Sequence, residues 1–106
     1  MKNRIDLENN HMDILCSILD FHLPPHTKKW IFGSRATGTA KKFSDIDILL
    51  DAGSPIPIDV MAKLSQAFED SILPYKVDIV DAKTISESFL KNIESQLTPI
   101  SLKPSH

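Results

Sequence analysis

Ile31-Phe32-Gly33-Ser34-Arg35-Ala36-Thr37-Gly38 is followed by Ser44-Asp45-Ile46-Asp47-Ile48-Leu49-Leu50. Residues 45–51 alternate strictly. Asp45, Asp47, Leu49 and Asp51 fall on one face and Ile46, Ile48 and Leu50 on the other. That period of two is a strand with one wet and one apolar side. Residues 28–33 (Lys-Lys-Trp-Ile-Phe-Gly) are rich in aromatic and β-branched side chains and end in glycine, so they form the strand before it. The two are joined by about eleven residues, too many for a tight hairpin. Within that connection Ser34 caps a short helical turn through Ala40, and Gly38 takes a positive φ that turns the chain back into the second strand.

Working outward, residues 7–22 read as a helix, with Met12, Leu15, Ile18, Leu19 and His22 at three- and four-residue spacing. Pro24-Pro25 stops it. Ala52 to Pro57 is a loop. Residues 57–72 form an amphipathic helix with Val60, Met61, Leu64, Ala67, Phe68 and Ile72 on its apolar face, and Leu73-Pro74 ends it. Residues 76–80 make a third strand. Thr84 or Ser86 caps a last helix of about 85–95 carrying Phe89, Leu90 and Ile93. Gln96 to Ser101 reads as a short terminal strand, and Pro104 onward as frayed. Met61, Phe68 and Phe89 fit either the core or an interface, and the core is the better reading. The order predicts an α+β fold with a small mixed β-sheet of three to four strands. Its helices pack mainly on one face, and the other face holds the carboxylates.

The 106 residues form a single domain, 1–106, with one modest core. A net charge of −2 provides no basic stripe, so direct nucleic-acid binding is not expected. Cys16 is the only cysteine, which excludes an internal disulfide; among Ile14, Leu15, Ile18 and Leu19 it reads as a buried helix residue. Asp6, Glu8 and Asp13 stand where a signal peptide needs an apolar run, and no stretch approaches the ~18 residues of a membrane span. The expected setting is the cytoplasm, with no membrane contact. His11, His22, His26 and His106 show no zinc spacing, and Asp51 and Asp81 are read as solvent-facing or strand-end residues.

Asp45 and Asp47 lie about 6–7 Å apart along one strand face. If the third strand neighbours the second, Asp78 joins them. Each carboxylate pair about 5 Å apart costs roughly 3 kcal/mol at an effective dielectric near 20. Either a proton or a divalent cation must offset that. Hard oxygen ligands of this kind suit Mg²⁺, which uses few carboxylates plus substrate phosphates. Two such ions can clamp the attacking and leaving oxygens of an in-line displacement. Gly33 removes the Cβ that would block a phosphate, and Ser34 offers a hydroxyl and a backbone N–H. Arg35 adds charge for a triphosphate, and Lys42 approaches from the far end of the loop.

These residues resemble the minimal nucleotidyltransferases, a small branch of the DNA polymerase β-like nucleotidyltransferase superfamily. The family pattern of Gly-Ser-x-Ala-x-Gly, then Ser-Asp-Ile-Asp, then a later strand aspartate, matches Gly33-Ser34-Arg35-Ala36-Thr37-Gly38, Ser44-Asp45-Ile46-Asp47 and Asp78. The resemblance implies a nucleotidyltransferase fold in which Asp45 and Asp47 bind the metal ions. Asp78 ligates one ion or takes the acceptor proton, and Gly33 and Ser34 hold the triphosphate. Many relatives carry arginine near Lys42, where lysine supplies a point charge and no planar fork. The resemblance further implies ATP as substrate and a small all-helical HEPN-type partner. AMP would pass from ATP to a tyrosine hydroxyl on that toxin, so that the chain acts as its antitoxin. Two other readings compete. One is a non-catalytic antitoxin that neutralises its partner by covering it. The other is a transferase acting on a small molecule such as an aminoglycoside, which lacks support because no C-terminal helical domain follows to bind the drug.

Overall fold

The computed structural model describes residues 7–38 and 44–100. Along the chain run α1 (Asn9–His22), β1 (Lys28–Phe32), α2 (Ser34–Thr37), β2 (Ile46–Asp51), α3 (Ile58–Glu69), β3 (Val77–Asp81), α4 (Glu87–Ile93), a 3-10 turn (Glu94–Gln96) and β4 (Thr98–Pro99). The strands form one mixed sheet in the order β3-β2-β1-β4. β1 pairs antiparallel with both β2 and β4, while β2 and β3 are parallel, with α3 in the connection between them. The α+β fold with a small mixed sheet is therefore the observed architecture.

Alternation along the strands sorts the side chains into two layers. Ile31, Ile46, Ile48 and Leu50 pack with Leu15 and Leu19 of α1 and Leu64 and Phe68 of α3. Phe32 and Leu49 point the other way and meet Ile93 of α4, with Trp30, Val80 and Leu90 against them. Two helices thus cover one face completely. The short α4 covers part of the other, and the uncovered part carries Asp47 of β2 and Asp78 of β3.

Three local expectations are corrected. The helix expected to reach residue 72 ends at Glu69. Ser71 diverts it: its N–H bonds Phe68 O three residues back, its Oγ donates to the same carbonyl at 2.7 Å, and that Oγ accepts the Leu73 N–H. A serine hydroxyl competing with the helical ladder in this way favours termination. Ile72, expected on the apolar helix face, is left 80 % exposed, and Phe89, read as core before interface, is 37 % exposed. The terminal strand is only two residues long.

Asp81 is the last residue of β3, as the strand-end reading has it, but it does not face solvent. It is 5 % exposed, with Oδ2 accepting the Ile56 N–H at 2.8 Å and Oδ1 the Lys83 N–H at 2.9 Å. It ties the loop after β2 to the end of β3. Leaving buried backbone donors without an acceptor is costly. Asp81→Ala is expected to lower the unfolding free energy by about 3 kcal/mol in urea titrations. A loss below about 1 kcal/mol would contradict this role.

Candidate active site

Phe32 ends β1, and Gly33 turns the chain with φ +78°, a left-handed backbone open to glycine at little cost. The Gly33 carbonyl then accepts the Ala36 and Thr37 N–H groups, closing the single turn of α2. Gly38, at φ +82°, ends that turn in the left-handed conformation expected of it and donates to Ser34 O. Ser34 stands half-buried at the start of the turn.

The strand registers bring the acidic residues to this corner. Phe32 pairs with Asp47, and Asp47 pairs with Asp78. Paired residues on neighbouring strands share a face, so the carboxylates of Asp47 and Asp78 lie side by side on the uncovered part of the sheet. Asp45, two residues before Asp47, enters the same face from the exposed strand entrance. Gly33 sits so close over Asp47 that a Cβ on it would stand 2.5 Å from Asp47 Oδ2. Glycine is required here for its φ, and a Cβ would in addition displace the Asp47 carboxylate.

The electrostatics follow from the crowding. Burial raises the Asp47 carboxyl above its ordinary range, and the negative charges of Asp78 and then Asp45 raise it further. Asp78 has one cation nearby, Lys76 Nζ at 4.0 Å from Oδ1. All the donors are hard carboxylate oxygens, the set that magnesium accepts, and a cation beside Asp47 would relieve the repulsion it bears. Among the described residues no three His, Cys, Asp or Glu side chains are gathered closely enough to hold a metal by themselves. The site fits magnesium as an open set of carboxylates to be completed by substrate oxygens.

This crowding sets a pH dependence of stability. A carboxyl raised by folding contributes stability at low pH, and that contribution is lost as pH rises through its raised range. In chelator, the native protein should lose stability relative to Asp47→Asn as pH climbs out of the ordinary carboxylate range. Thermal melts across pH check this, and a constant difference between the two proteins would contradict it.

Arg35, expected to add charge for a triphosphate, follows Ser34 in α2 but is buried. It is 5 % exposed, with its guanidinium 4.4 Å from the centre of the Tyr75 ring and Nη2 donating to Ser44 O at 3.1 Å. Tyr75 packs into the helix-side layer, and its hydroxyl meets His11 Nδ1 of α1 at 2.8 Å. The charge expected to face a triphosphate is thus committed inside the protein, where it anchors the peptide just before Asp45. Lys42 lies outside the described residues. Gln96, which the sequence pattern does not single out, accepts the Gly33 N–H on Oε1 at 2.8 Å. Only the tertiary fold brings it there.

The family model described as Polymerase beta, Nucleotidyltransferase matches residues 24–103, a span holding the glycine corner and all three aspartates. The chain belongs to the polymerase beta nucleotidyltransferase family. It is 37 % identical over 86 residues to "Probable protein adenylyltransferase MntA" of Haemophilus influenzae, covering 81 % of this chain and 75 % of that protein. Among solved structures it is similar to a chain of a toxin-antitoxin with AMP-PNP, with TM-score 0.73 and 26 % identity, over 85 % of this chain and 72 % of that one. It also shares its fold with a chain of the tri-AMPylated Shewanella oneidensis HEPN toxin in complex with MNT antitoxin. There the TM-score is 0.70 and the identity 21 %, over 90 % of this chain and 72 % of that one. This nucleotidyltransferase domain has no helix, among its described residues, long and apolar enough to cross a membrane.

Proposed function

We propose that this nucleotidyltransferase transfers AMP from ATP to a tyrosine hydroxyl on a HEPN-type toxin and so acts as its antitoxin, with magnesium as cofactor, in the cytoplasm. The observation that carries the reading is the side-by-side placement of Asp47 and Asp78 beneath Gly33, whose missing Cβ leaves room against the Asp47 carboxylate. The protein adenylyltransferase relative supports a protein acceptor, and the toxin-antitoxin neighbour supports a toxin partner.

Asp45 and Asp47 would hold the metal, with Asp78 as a further ligand or as the group that takes the acceptor proton. Magnesium, probed as one or two ions, supplies charge neutralisation at the triphosphate when bound. The Gly33–Ser34 corner orients the triphosphate beside these carboxylates. The acceptor oxygen attacks the α-phosphorus and pyrophosphate leaves, and the protein's contribution is mainly alignment. Arg35 acts indirectly, holding the Ser44 peptide so that Asp45 and Asp47 enter β2 in register.

The test is co-expression with the partner in the presence of α-labelled ATP. The native chain should label the partner and neutralise it, and the triple variant Asp45→Asn, Asp47→Asn, Asp78→Asn should do neither. If the triple variant neutralises as well as the native chain, the partner is inhibited by coverage alone and the catalytic reading fails.

A further inference from the structure

Gln96 closes the 3-10 turn after α4, 63 residues from Gly33 in sequence, yet its side chain reaches the glycine corner. The Gly33 N–H lies just past the last residue of β1, at the point where the backbone takes its left-handed φ. The carbonyl of Gly33 is engaged by α2, and its N–H by Gln96 Oε1 at 2.8 Å. Both polar groups of this residue are therefore held, on opposite sides, by different parts of the chain. Gln96 is itself anchored. Its carbonyl accepts from Thr98 Oγ1 at 3.3 Å, and Ile93 and Leu97 on either side pack against Phe32 and Leu49.

We infer that Gln96 is a positioning residue for nucleotide binding. Its amide oxygen fixes the Gly33 peptide in the orientation that aims the Gly33–Ser34 corner over Asp47. An acceptor from the C-terminal segment thus sets the phosphate-facing geometry of a corner built in the N-terminal third. This role rests on the nucleotidyltransferase reading, but its test does not require transfer to a partner.

The probe is magnesium with a non-hydrolysable ATP analogue, titrated into the native protein, Gln96→Met and Gln96→Asn. Methionine keeps the length and loses the acceptor. Asparagine keeps the amide but withdraws it by one methylene, and it serves if the methionine variant fails to fold. A neutral hydrogen bond is worth enough to change affinity by about 3- to 10-fold. Both variants should weaken analogue binding by that factor, measured well below thermal midpoints that the lost Gly33 bond lowers by about 4–8 °C. In the transfer assay the KM for ATP should rise by the same factor while kcat stays within about twofold. The amide exchange of Gly33 should accelerate in both variants. Unchanged affinity would overturn the inference, as would tighter binding, which would make Gln96 a competitor of the phosphate. A fall in kcat with KM constant would also overturn it. A native protein that binds the analogue but labels no partner would sink the proposed acceptor and leave Gln96's role standing. A native protein that binds no analogue would sink both.

Discussion

Asp47→Asn is expected to abolish nucleotidyl transfer, by at least a factor of about a thousand, in a protein that still folds. A thousandfold is about 4 kcal/mol of transition-state stabilisation, a reasonable share for a charged ligand at the centre of a metal-dependent displacement. Asp47 is the residue for this test because three features meet on it. It is flanked in register by Phe32 and Asp78, it lies under the Gly33 backbone, and its carboxyl is raised by burial and by both neighbouring aspartates. Asparagine has nearly the same shape, so the sheet register is kept. It removes a charge whose repulsion with Asp78 and Asp45 is unfavourable in the metal-free state, so the variant should melt no lower than the native protein at neutral pH in chelator. Label transfer from α-labelled ATP, followed beside a thermal melt, reads both. Transfer within about tenfold of native would place the metal elsewhere.

Gly33→Ala carries the second largest effect. A methyl at this position meets Asp47 Oδ2 at 2.5 Å, and the backbone stands at φ +78°, so the substitution is opposed both by contact and by conformation. At φ +78° and ψ −157° the backbone lies in a region essentially reserved for glycine, which costs about 1–3 kcal/mol for a residue with a Cβ. Relief requires the Asp47 carboxylate to swing away from the corner or the corner to lift off the carboxylate. Either movement is of the order of 1 Å, enough to cost about 100-fold in rate when reacting groups must be aligned. Gly38→Ala is the control for a positive φ without a contact, its backbone being αL where that of Gly33 stands at ψ −157°. Its φ is also positive, but nothing lies within 4 Å of a Cβ there, so it should lose stability without the same loss of transfer. Urea titrations and initial rates on the two variants separate strain from displacement. Equal activity losses would contradict the contact argument.

Much of this architecture is readable from local chemistry. The period of two in residues 45–51 assigns Asp45 and Asp47 to one face and Ile46, Ile48 and Leu50 to the other, as found, because a strand leaves its side chains no other choice. Gly33 and Gly38 bracket a short turn; the positive φ expected of Gly38 is found, and that of Gly33, read only for its missing Cβ, is added by the structure. The neighbouring position of Asp78 depends on strand order, which alternation alone leaves open; the parallel pairing of β2 with β3 supplies it.

What escapes sequence reading depends on contacts between distant segments. Asp81 ends β3 and reads as solvent-facing or strand-end, but it shares the face of Val77 and Ile79, and the loop after β2 folds back and presents the Ile56 N–H to it. Arg35 follows the Gly-Ser corner and looks like a phosphate ligand. Tyr75, forty residues downstream, takes the guanidinium against its ring instead. Gln96 has no neighbouring pattern at all, since its partner is a backbone N–H, which leaves no mark on composition or periodicity. Ile72 is lost from the core because a serine hydroxyl one residue earlier ends the helix, a local competition that the apolar spacing masks.

The most direct measurement is the anomalous diffraction of crystals grown with manganese and a non-hydrolysable ATP analogue. Manganese accepts the same oxygen ligands as magnesium and is located by its own scattering. The account predicts anomalous density between the carboxylates of Asp45, Asp47 and Asp78, bridged to phosphate oxygens that rest on the Gly33–Ser34 corner. Analogue bound with no metal at these carboxylates, or metal bound elsewhere in the molecule, would contradict it.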